Sequence, residues 1–260
     1  MIKDYHIHPT VVQDPTRFAR FAQAAIDRGF EEVCITDHMP LIGSGQADRI
    51  PLGCVEQYCR RVRELAKEWE GRLSVKLGIE ADYHPQLMDQ LERVLGAGDF
   101  DFILGSVHLQ STQSDIFDRT RTRNAFARAS LETVLESVKS GYFHAVAHID
   151  FYRWIFTRPH KFPLADDGFR LEEYLPLVEE ILNAMLERNM LLELNTHFAV
   201  QTGDLSGVYP DAPIVQMALA KGVRFCFGSD AHESGHVGEM LEALRAHPVY
   251  APALRTWEQE

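Results

Sequence analysis

Ile2-Lys-Asp-Tyr-His-Ile-His8 is a short strand pattern that runs directly into two imidazoles. Side chains two apart on a strand share a face, so His6 and His8 point the same way. The arrangement recurs along the chain. Strand patterns fall at Ile2–His6, Glu32–Thr36, Ser74–Glu80, Phe100–Val107, Phe143–Ala147, Leu191–Asn195 and Arg224–Gly228. A helical pattern follows each, starting near Pro15, Cys54, Pro85, Thr122, Leu171, Asp211 and His236. Asp14-Pro15 offers a capping side chain before a first-turn proline. Gly29, Gly71, Gly96, Gly141 and Gly222 stand where helices are expected to end. Seven βα units in succession imply parallel strands joined by crossover helices. The spacing predicts one α/β domain over residues 1–260, a closed or nearly closed (β/α)7 barrel. An open doubly wound sheet is the alternative. The chain lacks the Gly-X-Gly-X-X-Gly and Gly-Lys-Ser/Thr loops of nucleotide-binding open sheets, which favours the barrel.

Composition agrees with a single large domain. The 260 residues are 45% apolar, enough for a sizeable core. A formal charge of −12 argues against a general nucleic-acid binder, which needs Lys and Arg to displace counterions. It leaves room for an anion held locally by metal. The four cysteines, Cys34, Cys54, Cys59 and Cys226, form no Cys-X-X-Cys pair and read as free thiols of a reducing compartment. No apolar run approaches the length that spans a bilayer. The expectation is a cytoplasmic protein with no membrane partner.

The strand ends carry the chemistry. Strand one ends on His6 and His8, strand two on Asp37 and His38, and strand three on Glu80 and Asp82. Strand four ends on His108, five on His148 and Asp150, six on Asn195 and His197, and seven on Asp230 and His232. In a parallel barrel all C-terminal ends meet at one mouth, so residues far apart in sequence converge. Imidazole and carboxylate suit Zn, Fe or Mn. Glu80 can bridge two ions, which a neutral imidazole cannot. Asp82 and Asp150, like other single Asp residues after strands, read as turn or cap residues. His144 reads as a residue of the core or the barrel bottom. Two connections are long, about 108–121 and 149–170. Long ordered loops are often functional, and the second holds Arg153, Arg158, His160 and Lys161.

Taken together, Asp4-Tyr-His-Ile-His8, Ile35-Thr-Asp-His38, Gly78-Ile-Glu80, Gly105-Ser-Val-His108, Ala147-His148 and Gly228-Ser-Asp-Ala-His232 resemble the polymerase and histidinol phosphatase (PHP) family. The segments occur in the family's order and span nearly the whole chain. Thr36–Pro40, Leu104–His108 and Leu192–Thr196 look most like the stand-alone histidinol-phosphate phosphatases. The resemblance implies a distorted TIM-like (β/α)7 barrel with a trinuclear site, in which two to three divalent ions are expected to be bound. His6, His8, Glu80 and Asp230 would hold one ion, and Glu80, His108 and His148 a second. His38 and His232 would hold the third with a loop ligand, here Asp14 where the phosphatases commonly have His. The implied function is a phosphomonoesterase acting on a small phosphorylated substrate, most like histidinol phosphate of histidine biosynthesis. Alternatives are a phosphodiesterase or nucleotide phosphate hydrolase on the same scaffold, or a metal-binding regulatory domain without turnover.

The proposed ligand set also suggests a mechanism. Three divalent ions against three carboxylates leave the site at about +3, which favours an anionic substrate. Metal-bound hydroxide is the expected nucleophile. Asp37 or His197 would protonate the leaving alcohol. The phosphatases tend to carry an Arg shortly after the Asn-Thr of strand six. Here the run is Asn195-Thr-His-Phe-Ala-Val-Gln201, without one. The phosphate clamp would then come from elsewhere, with Arg153, Arg158, His160, Lys161 and His197 as the candidates, or the substrate differs.

Overall fold

A computed structural model describes residues 1–41, 48–108 and 120–259. Seven strands, β1 (Lys3–Ile7), β2 (Glu32–Ile35), β3 (Ser74–Asp82), β4 (Phe102–Ser106), β5 (Ala145–Val146), β6 (Leu191–Asn195) and β7 (Phe225–Gly228), form one parallel sheet in sequential order. All seven lie where the sequence places them. β3 is the longest because it serves two partners. Ser74–Leu77 pairs with β2, and Gly78–Asp82 pairs with β4.

The sheet curls until β1 meets β7, so the barrel is nearly closed. At the mouth the seam is made by backbone bonds. His8 N–H donates to Ala231 O at 2.9 Å, and Asp230 N–H donates to His6 O at 2.7 Å. Further down, side chains of the C-terminal helix Tyr250–Glu258 take over. Trp257 Nε1 donates to Lys3 O, and Phe225 N–H donates to Thr256 Oγ1. The ring is thus tightest where its two ends present His6, His8 and Asp230.

Amphipathic helices cover the outside. Helix Arg17–Asp27 buries Phe18, Phe21, Ala22 and Ala25, one face at the 3.6-residue period. Helix Val55–Glu68 buries Val55, Tyr58, Val62 and Leu65. The Tyr58 hydroxyl lies within 2.9 Å of the Ile35 carbonyl and 2.8 Å of the Gly78 carbonyl, where β3 changes partner. Helix Arg123–Ser140 is capped by Thr122 and stops at Gly141, which has φ of 80°. Among the described residues no helix is long and apolar enough to cross a membrane. All four cysteines are free, and Cys34 and Cys226 are buried.

Several local expectations change. The first helix begins at Arg17, because Asp14 forms a turn with Thr16 and does not cap it. The connection 149–170 contains a short helix, Tyr152–Phe156, and docks on the start of helix Arg123–Ser140 through Arg123–Asp166 and Asn124–Asp167. Most of the other long connection, residues 109–119, lies outside the described residues. A short helix, His197–Thr202, follows β6 directly, ahead of helix Ala212–Lys221. His144 is exposed and accepts from Ile103 N–H, so it does not line the barrel interior.

Candidate metal centre

The strand ends bring together the ligand atoms. His6 Nε2 lies 3.3 Å from Glu80 Oε2 and 3.7 Å from Asp230 Oδ1. His8 Nε2 lies 3.5 Å and 3.2 Å from the same two oxygens. The other oxygen, Glu80 Oε1, lies 3.2 Å from both His108 Nε2 and His148 Nε2. His38 presents Nδ1 to Glu80 Oε2 at 2.6 Å and Nε2 to His232 Nε2 at 3.4 Å. Ligands about 2.0–2.1 Å from a tetrahedral ion stand about 3.3–3.4 Å from one another. Most of these separations are the edges of such a polyhedron.

Burial makes the same point. His6, His8 and Glu80 have no exposed surface, and His148 and Asp230 are buried. Yet His6 Nε2, His8 Nε2, Glu80 Oε2 and Asp230 Oδ1 have no hydrogen-bond partner. Buried polar atoms are normally paired, and leaving one unpaired costs about 1–3 kcal/mol. Four convergent orphans of mixed donor type fit a divalent cation. Charge follows geometry. Burial opposes ionisation of Glu80, but His108, His38 and His6 outweigh it and hold the carboxyl well below its usual range. Burial likewise opposes Asp230, and His6 and His197 outweigh it. His8 is held well below the usual imidazole value, first by burial and then by His38 and His232. A neutral imidazole between ionised carboxylates is the protonation state a metal requires.

Hydrogen bonds aim the ligands. His6 Nδ1–H donates to Glu193 Oε1 at 2.5 Å, leaving Nε2 free for the cluster. His108 Nδ1–H donates to Asp82 Oδ1 at 2.8 Å, with the same result. Asp82 is therefore a partner of His108, and its reading as a turn residue is corrected. Its second oxygen accepts from Arg49 Nη1 at 2.5 Å. The Asp230 carbonyl accepts from Nδ1 of both His197 and His232, at 2.9 and 3.1 Å. Asp230 takes a φ of 51°, unusual for a residue with a Cβ. Sequence reasoning missed Glu193. Its signal was a lone carboxylate inside the buried run Leu191-Leu-Glu-Leu-Asn195, two residues before Asn195. Gly228 is needed beside it, because a Cβ there would collide with Glu193 Oε1 and His6 Cβ.

Other candidates stand elsewhere. Asp14 Oδ1 is committed to the Thr16 N–H and hydroxyl at 2.9 and 2.6 Å, and Asp14 is absent from the clusters of convergent ligand atoms. The structure instead sets His197 beside Asp230 and His232. Asp37 is buried and accepts from Thr10 and Val11 N–H at 2.8 and 2.9 Å, so it fastens the first loop. Burial pushes its carboxyl up to about 6 against the pull of those two amides. Asp37→Ala would orphan both amides, and chemical denaturation of the metal-free protein is expected to show a loss of about 1–3 kcal/mol. Arg153 donates to Val208 O, Ser206 O and Asp150, which commits it to holding the loop after β6 together. Arg158 lies over the Trp154 ring at 3.8 Å and donates to Gln201 Oε1, and Gln201 Nε2 meets His197 Nε2 at 2.8 Å. His160 and Lys161 are exposed. Lys161 Nζ lies 5.3 Å from the Phe162 ring centroid, and nothing draws either residue to the ligand cluster.

Comparison with known proteins agrees with this geometry. Residues 4–197 match the PHP domain family. The chain is 32% identical to a probable histidinol-phosphatase of Deinococcus radiodurans over 90% of its length and 88% of the relative's. It is also 32% identical to the histidinol-phosphatase of Bacillus subtilis, over 93% and 97% of the two chains. The histidinol phosphate phosphatase of Lactococcus lactis, solved with zinc, L-histidinol and phosphate, shares the fold. Its TM-score is 0.75 at 20% identity, with 97% of this chain and 93% of that chain covered. The chain belongs to the PHP domain family, in its histidinol-phosphatase-like branch, and is a hydrolase.

Proposed function

We propose that the protein is a metal-dependent phosphomonoesterase whose substrate is histidinol phosphate. The observation that carries the reading is Glu80, whose two oxygens face two separate imidazole pairs, His6 with His8 and His108 with His148. His6, His8, Glu80 and Asp230 would hold one divalent ion, and Glu80, His108 and His148 a second. His38 and His232 would hold a third more weakly, since Asp14 is turned to Thr16. Such ions neutralise phosphoryl charge and bring the pKa of bound water near 7.

The chain's own residues do the rest. Arg158, steadied by the Trp154 face and by Gln201, which itself meets His197, is the loop cation that would meet the phosphate. His197 donates Nδ1–H to the Asp230 carbonyl, so Nε2 is its basic atom; it accepts from Gln201 Nε2–H and would have to take up a proton there before giving it to the leaving alcohol. Asp37 orders the loop that carries Thr10 and Val11. Its carboxylate is not the acid of the reaction.

A substrate panel tests the assignment. Enzyme reconstituted separately with Mn, Fe and Zn is expected to release phosphate from histidinol phosphate faster than from other monoesters, and not at all from diesters. Preference for a diester or a nucleotide would move the protein to a phosphodiesterase or nucleotide phosphate hydrolase. Metal binding without release from any ester would leave a regulatory domain.

A further inference from the structure

The two carboxylates that aim His6 and His108 do not sit in equal company. Glu193, behind His6, accepts from His148 N–H at 2.9 Å and from Asn195 Nδ2 at 3.1 Å, both neutral donors. Asp82, behind His108, is ion-paired at 2.5 Å with Arg49, which is 4% exposed. Arg49 is held in turn by Met39 O at 3.0 Å. A carboxylate hydrogen-bonded to a ligand imidazole makes that imidazole a stronger donor to metal. A guanidinium on the same carboxylate withdraws part of that effect. We infer that Arg49, acting through Asp82, makes the His108–His148 centre the weaker and more readily exchanged of the two metal centres joined by Glu80. Ligand charge adds to the bias. Among the described residues the His6–His8 centre has Asp230 as well as Glu80, whereas the His108–His148 centre has its share of Glu80.

Arg49 is thus a positioning residue with an electronic effect of definite sign. A merely structural role would make its loss weaken metal binding. The inferred role makes its loss strengthen binding at one centre. The inference rests on the metal reading above, and the two fail differently. If that reading is wrong the protein takes up no zinc, whereas if only this one is wrong zinc binds without the predicted order.

The experiment dialyses zinc-loaded enzyme against graded dipicolinate and measures retained zinc by mass spectrometry. Wild type is expected to release the weakly held third ion first, and then to show a step, ahead of the tightest zinc, that is missing from His108→Gln. In Arg49→Gln that step is expected to move to about tenfold higher chelator, while release of the tightest zinc stays in place. Simultaneous release of the two ions joined by Glu80 in wild type overturns the inference. So does a second step that persists in His108→Gln, or one that is unmoved or moves to lower chelator in Arg49→Gln. If Arg49→Gln does not fold, Glu193→Gln decides. Removing the charge behind His6 is expected to bring the tightest step down by about tenfold, and an unmoved step overturns the inference.

Discussion

Glu80→Gln is expected to lower phosphatase turnover by about three orders of magnitude or more, the scale on which electrostatic stabilisers of a transition state act. The substitution keeps the shape of the side chain and removes its charge. Glu80 Oε2 faces His6 and His8, and Oε1 faces His108 and His148. Whichever way the new amide turns, its NH2 points at one of the two centres, where a donor cannot bind a cation. The other centre keeps an oxygen but loses the carboxylate charge, so the variant should be purified short of metal at both centres, and excess metal should not restore activity. His108→Gln, which touches one centre, should lose fewer ions. Elemental analysis beside a steady-state assay checks both statements. A Glu80→Gln enzyme with full metal content would contradict the bridging role.

Arg153→Ala is expected to act on the fold. The guanidinium donates to the carbonyls of Ser206 and Val208 and to the Asp150 carboxylate, which has no exposed surface. Asp150 also accepts from Asp211 N–H at the start of helix Ala212–Lys221. Removing the arginine leaves a buried carboxylate without its counter-charge, a change that costs about 3–5 kcal/mol. The urea midpoint of the metal-free variant should fall accordingly. A variant of unchanged stability with a raised KM would return Arg153 to the phosphate site.

How far the sequence could be read follows from the range of each signal. Strand patterns are local, and parallel strands buried on both faces read as apolar runs, so all seven were legible. The ligands were legible because a strand end in a barrel has one place to go. What escaped depends on contacts between distant elements. Glu193 looked like a flaw in an apolar strand until Gly228 let it approach His6. Asp82 looked like a turn residue because nothing local announces Arg49. Arg153 looked like an anion binder because loop arginines are ambiguous until their acceptors are known, and here they are main-chain carbonyls 53 and 55 residues away. Asp14 was placed by its position after His8, but the turn with Thr16 competes for its oxygen.

The central claim is that the cluster around Glu80 makes this protein a metal-dependent phosphatase, and one measurement addresses it most directly. Phosphate release from histidinol phosphate is followed with chelator-stripped protein, then with the same protein after stepwise addition of Mn, Fe or Zn. The account predicts no detectable release from the stripped protein and activity that rises with bound metal to saturation at two to three ions per chain. Full-rate hydrolysis by protein shown to be metal-free would contradict it.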